Sequence, residues 1–323
     1  MQAEASPNIA FIKYWGKLPA NSDLERNLAT NPSLSLTLSK ARTRTTVTRQ
    51  TQAGAATEFF LNGHSASEKD RLKVQTQLKR ITDFLRLPEM HFRVESDNNF
   101  PAGAGIASSA SAFAALTLAA LGEILGPDQV QVFLKNRRHD YSALARRGSG
   151  SACRSVSGPF MKWEGSAAVT IESPWKLRDT ILILSHQHKS VPSSDGHELA
   201  QSSPLFPARL EQVPRRMKIV EAAIKAQNIQ KLGPILEEEA LELHRIVESG
   251  ERKVEYLLPD TRRILQAVQS LPNRDFFFTL DAGPNVHLIS ERPLGEEAQK
   301  LLKSLDIQAD IWEDEAGFGP RLG

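Results

Sequence analysis

The chain has 323 residues, more than one average domain holds, so two lobes or one large α/β unit is expected. It is 40% hydrophobic and 24% charged without biased tracts, which excludes disordered and fibrous classes. A net charge of +2 argues against nucleic acid as an obligate partner, and the single cysteine, Cys153, excludes an intramolecular disulfide.

The first residues, MQAEASPNIAFIKYWGK, are too polar for a secretory signal. No run approaches the roughly 18 consecutive apolar residues of a membrane span. A cytoplasmic protein that engages no membrane is expected.

Residues 43–49 (TRTTVTR) alternate, and 57–62 (TEFFLN) are aromatic-rich ahead of the Asn62-Gly63 turn pair, so both are expected as strands. From Ser67 the spacing of Val74, Leu78, Ile81 and Leu85 predicts a helix, with Ser67 and Asp70 as its capping pair. Residues 90–95 put Met90, Phe92 and Val94 on one strand face. An alanine-rich helix follows from about Ser108 to Leu125, stopped by Gly126-Pro127. Helices are expected near Asp128 and Asp140, the latter running into the Gly/Ser-rich stretch 148–151, then strands at 158–163 and 179–185. Residues 209–269 read as helices broken near Pro214, Gly233, Gly250 and Pro259. Strands at 275–280 and 286–290, a helix at 295–305 and a strand at 307–312 complete the order. Strand-rich, then helical, then βαβ-like, it suits an α+β fold.

One stretch, 98–111 (NNFPAGAGIASSAS), has the composition of an anion-binding loop. Gly103 and Gly105 would let the backbone approach phosphate closely, and the helix start at Ser108 and Ser109 would add amides, hydroxyls and the helix dipole. It is neither a Walker loop nor a GxGxxG fingerprint, and alone it could be an ordinary helix start. Behind it, Phe113, Leu116, Ala120 and Ile124 are core positions.

Four segments together resemble the mevalonate diphosphate decarboxylase family, within the superfamily of galactokinase, homoserine, mevalonate and phosphomevalonate kinases. They are Ser6-Pro-Asn-Ile-Ala-Phe-Ile-Lys-Tyr-Trp-Gly-Lys17 with Asn31-Pro-Ser-Leu-Ser-Leu-Thr37, the glycine loop, Arg147-Gly-Ser-Gly-Ser-Ala-Cys-Arg154, and Asp281-Ala-Gly-Pro-Asn285. The resemblance implies a two-lobed α+β fold around one deep cleft. A ribosomal-S5-like N-terminal lobe would span residues 1–177 and a ferredoxin-like C-terminal lobe residues 178–323. It further implies ATP and Mg²⁺ as cofactors, a phosphorylated mevalonate as substrate, and a homodimer. Ser96, Asn98, Pro101, Gly103, Ala104, Gly105, Ser108 and Ser109 are the implied nucleotide-side residues. Mg²⁺ would arrive with ATP phosphates near Ser108 and Ser109, with no dedicated protein ligands.

Decarboxylating a 3-hydroxy acid needs a better leaving group than hydroxide, and phosphorylation of the tertiary hydroxyl supplies one. Asp281 is the implied acceptor of the hydroxyl proton, although a strand-end Asp opening a turn has the same local sequence. Lys13 would give electrostatic help, and the fork of Arg154 suits the substrate carboxylate. By the same resemblance Tyr14, Lys17, Ser149, Gly150 and Ser151 hold the anionic tail, and Ser193 lies on a substrate-side loop, 189–197. There Ser194 stands where some bacterial members carry arginine, and His197 where methionine is usual. The segment 241–256 departs from the family pattern, though Leu243-His244 fits. His244 is expected to be a packing residue and Cys153 a buried small side chain. Conversion of mevalonate 5-diphosphate to isopentenyl diphosphate is the expected reaction. A decarboxylase of the monophosphate, a mevalonate-type kinase without decarboxylation, and a non-catalytic binding protein remain as alternatives.

Overall fold

The structure, a computed structural model, describes residues 1–52, 54–101, 108–186, 191 and 193–323, without the side chains of 193 and 194. The expected loop residues Gly103, Ala104 and Gly105 lie outside this set, as does the side chain of Ser193.

The first half of the chain runs β1 (Gln2–Ala5), β2 (Asn8–Ile12), β3 (Ser33–Thr37), β4 (Thr43–Gln50), β5 (Glu58–Leu61), β6 (His64–Ser65), α1 (Glu68–Phe84), β7 (His91–Asn98), α2 (Ser108–Leu125), α3 (Pro127–Asn136) and α4 (Arg138–Gly148). A 3-10 turn at Gly150–Ser155 leads into β8 (Phe160–Glu164) and β9 (Ala167–Ile171). The second half holds β10 (Arg178–Ile183), α5 (Ser193–Gln201), α6 (Phe206–Ala226), α7 (Ile229–Glu248), α8 (Pro259–Ser270), β11 (Phe276–Thr279), β12 (Val286–Ser290), α9 (Gly295–Ser304), β13 (Asp310–Glu315) and β14 (Arg321–Leu322). Three sheets result, ordered β14-β1-β4-β7-β5-β6, β2-β3-β8-β9 and β11-β12-β10-β13. Their pairings are antiparallel except β5 with β7, so the α+β expectation holds.

In β4 the alternation points Thr43, Thr45 and Val47 inward, onto α2. Helix α2 answers with Ala110, Ala114, Leu118 and Leu121, and its small side chains let it lie close against β1 and β4. It is the one described helix long and apolar enough to cross a membrane, with mean hydropathy 1.5, yet 61% of it is buried in the molecule. Its apolarity is that of a core helix. The capping pair of α1 forms as expected, the Asp70 amide donating to Ser67 Oγ at 3.2 Å.

Two expected helix breaks are absent. Pro214 sits inside α6 with its ring exposed, so the Leu210 carbonyl it cannot serve lies on a flank that water reaches. Gly233 sits inside α7, where a Cβ would meet the Phe277 ring at 2.0–2.4 Å. Glycine here provides close packing of helix on sheet. The real break falls at Gln227, with φ +50°, and Asn228, whose side chain caps α7 by accepting from the Lys231 amide. Gly233→Ala is therefore expected to lower unfolding free energy by about 2 kcal/mol, although alanine is the better helix former by ~1 kcal/mol. Urea denaturation of the variant beside the parent measures it. Strand β10 stops at Ile183, short of the expected 185, because Asn285 Oδ1 takes the Leu184 and Ser185 amides at 2.8 and 3.1 Å. The last expected strand is shifted from 307–312 to β13, because Ile307 packs into the core at the end of α9 instead.

The middle sheet is common ground. Ile9, Phe11, Leu34 and Leu36 from β2 and β3 share one core with Val213, Val220, Leu232, Phe277 and Ile289 from the second half. Asp314 adds a polar tie, accepting the amides of Ser39, Lys40 and Ala41 at 2.7–2.8 Å. The chain end also crosses over, since β14 pairs with β1 in the first sheet.

Candidate active site

The register of β2 on β3 shifts between Ala10 and Ile12, a bulge that re-aims the chain as it leaves the sheet. Lys13 follows at once, with 1% of its surface exposed. Its Nζ donates to Ala10 O at 2.7 Å and to Asp281 Oδ1 at 3.0 Å. Its backbone is clamped on both sides: the amide donates to Glu239 Oε2 at 2.9 Å, while the carbonyl accepts from Asn31 Nδ2 at 2.9 Å and Arg209 Nη2 at 3.0 Å.

Asp281 comes from the far half of the chain, just past β11. A turn, Gly283 amide to Asp281 carbonyl at 2.8 Å, begins its loop. Asn285 ties the loop to residues 184–185, and Thr261 Oγ1 donates to Pro284 O at 2.7 Å. The carboxylate keeps 24% of its side chain exposed while Lys13 is sealed beneath it. Burial drives the Lys13 ammonium below the usual lysine range, opposed first by Asp281 and then by Glu239.

Arg154 arrives from the 3-10 turn and is 3% exposed. Its contacts are neutral: Nη1 donates to Ser33 Oγ at 2.6 Å, Nε to Asn8 Oδ1 at 3.4 Å, and the guanidinium lies 5.7 Å over Trp163. Among the described residues it makes no ion pair. Arg209, equally buried, is held by Glu239 at 2.8 Å and Glu242 at 2.5 Å. A buried guanidinium without a carboxylate is costly unless something anionic arrives.

Beside these lies a corner built on two glycines and an aromatic stack. A Cβ at Gly150 would meet the Tyr14 ring at 2.6 Å, and one at Gly196 would meet Trp15 at 2.8 Å. The Tyr14 ring packs on Trp163 at 4.6 Å and on His197 at 4.0 Å. Tyr14 OH is buried without a partner, and burial pushes that phenol far up. Half-buried Lys17 edges the corner, its ammonium lowered by burial. Ser149 and Ser151 are partly exposed, and Ser149 Oγ lies 3.3 Å from Ser109 Oγ at the start of α2. The GSGSACR segment and the start of α2 therefore meet. Ser108 and Ser109 open α2, and Ser109 is exposed.

Other expected residues stand apart. Ser96 is buried on β7, its hydroxyl 2.9 Å from Thr45 Oγ1. Asn98, partly exposed, accepts from Thr43 Oγ1 at 2.6 Å, and Pro101 is partly exposed at the edge of the described residues. Cys153 Sγ is buried against Gly150 O at 3.1 Å and pushed up to about 12, as a small core residue would be. His244 is 2% exposed, and burial, then Lys13, lowers it to about 3. Among the described residues no cluster of three or more His, Cys, Asp or Glu side chains could hold a metal.

Sequence reasoning missed Glu239, Asn8 and Ser33 as supports of the site. A signal existed for the first: Leu232, Leu236, Glu239 and Leu243 fall on one helical stripe, so a carboxylate sits where an apolar residue is due.

A sealed lysine under a carboxylate, an uncompensated guanidinium and a serine-lined helix start define an enzyme that handles anionic small molecules between two lobes. Comparison with known proteins agrees. The diphosphomevalonate decarboxylase-like N-terminal domain matches residues 5–173, and the mevalonate 5-diphosphate decarboxylase C-terminal domain matches residues 180–316. The diphosphomevalonate decarboxylase of Candida albicans is 31% identical over 323 residues, covering 92% of this chain and 86% of its own. The structure of the mevalonate diphosphate decarboxylase from Enterococcus faecalis superimposes with a TM-score of 0.85 at 32% identity, covering 100% of this chain and 98% of that one. A structure described as MDDEF in complex with MVAPP, AMPPCP and magnesium gives 0.86 at 33% identity, with coverage of 100% and 98%. The chain belongs to the diphosphomevalonate decarboxylase family.

Proposed function

We propose that the protein is an ATP-dependent decarboxylase that converts mevalonate 5-diphosphate to isopentenyl diphosphate, ADP, phosphate and carbon dioxide. The observation that carries this reading is Arg154, 3% exposed, in no ion pair with a described residue, and within the electrostatic reach of Asp281. A reaction that must hold a substrate carboxylate supplies what Arg154 lacks.

Asp281 accepts the proton of the substrate's 3-hydroxyl as that oxygen is phosphorylated. Lys13, donating to the same carboxylate at 3.0 Å, holds it in place and offsets the negative charge that gathers there. Arg154 fixes the carboxylate that departs as carbon dioxide once the 3-phosphate leaves. Tyr14, Lys17 and Ser149 to Ser151 take the phosphorylated tail, and Ser193 opens the helix on that side. The start of α2 suits nucleotide phosphates: Ser109 is exposed there and touches Ser149, so phosphate donor and substrate tail meet at adjacent hydroxyls. ATP with Mg²⁺ supplies the phosphoryl group and the charge neutralisation. Ser96 is buried while Asn98 and Pro101 are partly exposed, so the latter two are the better placed of the strand-end residues for the nucleotide. We further propose a cytoplasmic homodimer. One cysteine, fully buried, suits a reducing compartment, and light scattering measures the assembly.

The test is coupled measurement of ADP and carbon dioxide release from mevalonate, its 5-phosphate and its 5-diphosphate. Equal release of both products with the diphosphate is expected. Release with the monophosphate alone would make the protein a phosphomevalonate decarboxylase, and ADP without carbon dioxide would make it a kinase.

A further inference from the structure

His197 stands on α5 where the fold has no need of an imidazole. Its ring centroid lies 4.0 Å from that of Tyr14 and 4.8 Å from that of Trp15, and it is 7% exposed. A phenyl ring or a thioether would pack as well. Nδ1 is sealed from solvent without a hydrogen-bond partner. A polar nitrogen so placed costs about 1–3 kcal/mol, which packing alone gives no reason to retain.

The surroundings say what is missing. Lys17, from the loop after β2, and Arg154, from the 3-10 turn, act on His197 as cations. Among the described residues, Tyr14 is stacked on it, and the hydroxyl of Tyr256 would lie 2.9 Å from a Cβ on adjoining Gly196. On its own helix Asp195 and Glu198 act on Lys17, and Asp195 also on Tyr256, while neither figures among the influences on His197. Burial first, then the two cations, hold the imidazole well below its ordinary value, so the free protein carries it neutral. Tyr14 OH, Trp15 Nε1 and Tyr256 OH share the corner, all buried and unpartnered. Four unsatisfied polar groups and two cations are thus gathered around these packed rings, a set that an anion would satisfy.

We propose that His197 is a binding contact for the phosphorylated tail of the substrate and takes up a proton from solvent as that tail docks. This rests on the reading under Proposed function, which brings a phosphate group to Tyr14 and Lys17. An anion reverses the electrostatics of the corner: the imidazolium becomes the favoured form and donates to a phosphate oxygen, while the cations that opposed it are neutralised. Affinity for the tail is then linked to pH and weakens as pH rises.

Titration calorimetry with mevalonate 5-diphosphate in two buffers of different ionisation enthalpy counts the protons. The parent protein is expected to take up protons at pH 7 to 8. His197→Gln, which cannot be charged, and His197→Phe, which keeps the stack, are expected to lose most of that uptake and bind about tenfold more weakly. The phosphate's own titration is common to all three proteins and cancels. Equal uptake by parent and variants, or none by the parent, overturns the role of His197 and leaves the proposed substrate standing. Failure of the parent to bind the diphosphate at all overturns both.

Discussion

Asp281→Asn is expected to lower the rate of ADP formation by about a thousandfold, read in single-turnover assays. The variant removes the proton acceptor and also the partner of a sealed ammonium. Lys13, whose amine is already lowered by burial, keeps only Glu239 to favour its charge. Unfolding free energy at neutral pH should therefore fall by about 3 kcal/mol. The pH dependence has a definite sign. The folded-state value of Lys13 lies below its unfolded value, so the unfolded chain binds more protons between the two and stability rises with pH across that window. In the Asn variant the window opens lower, and the deficit relative to the parent shrinks as pH rises through it. A deficit independent of pH would mean that Asp281 does not set the charge of Lys13.

Arg154→Met should separate function from stability. Carbon dioxide release is expected to fall by about a thousandfold, because the substrate carboxylate loses its fork of donors. Unfolding free energy is expected to rise by about 1–2 kcal/mol, since an apolar side chain replaces a buried charge whose hydrogen-bond partners are neutral. Arg209→Met is the contrasting case. It leaves the buried Glu239 and its neighbour Glu242 to Arg216 alone, so a loss of about 3 kcal/mol is expected from a residue equally buried. Denaturation curves of both variants decide the matter. A destabilised Arg154→Met would show that the guanidinium is structural.

The parts of the fold that were legible in the sequence are those with a clear period. Val74, Leu78 and Ile81 marked α1, and alternation in TRTTVTR marked β4. Strands β2 and β3 were not read as strands, because they are buried along every residue and show no alternation of exposure. Helices α6 and α7 were broken in the wrong places because Pro214 and Gly233 carry the local signal of a stop, while the exposed flank of one and the Phe277 ring against the other are tertiary facts. At the site, motifs picked out Lys13, Arg154 and Asp281, which lie far apart in sequence, and the structure puts Lys13 and Asp281 3.0 Å apart. The backbone clamp of Glu239 and Arg209 on Lys13 was not legible: the apolar stripe of α7 marks Glu239 as inward-facing, but nothing local tells which backbone it meets. Nor was the stack of His197 on Tyr14, which depends on how α5 docks against the loop after β2.

The pairing of β14 with β1 bears on how this molecule can be taken apart. The polypeptide passes between the halves once near residue 177 and again on the way to Arg321, so a fragment ending at 177 would lack a strand of its own first sheet. Such a fragment would present β1 as a bare edge, with amides and carbonyls available to any passing chain, beside Ile9, Phe11, Leu34 and Leu36 stripped of the helices that cover them. The halves are thus poor candidates for separate expression or for transplantation as modules, and whatever hinge motion accompanies catalysis must bend two connections together.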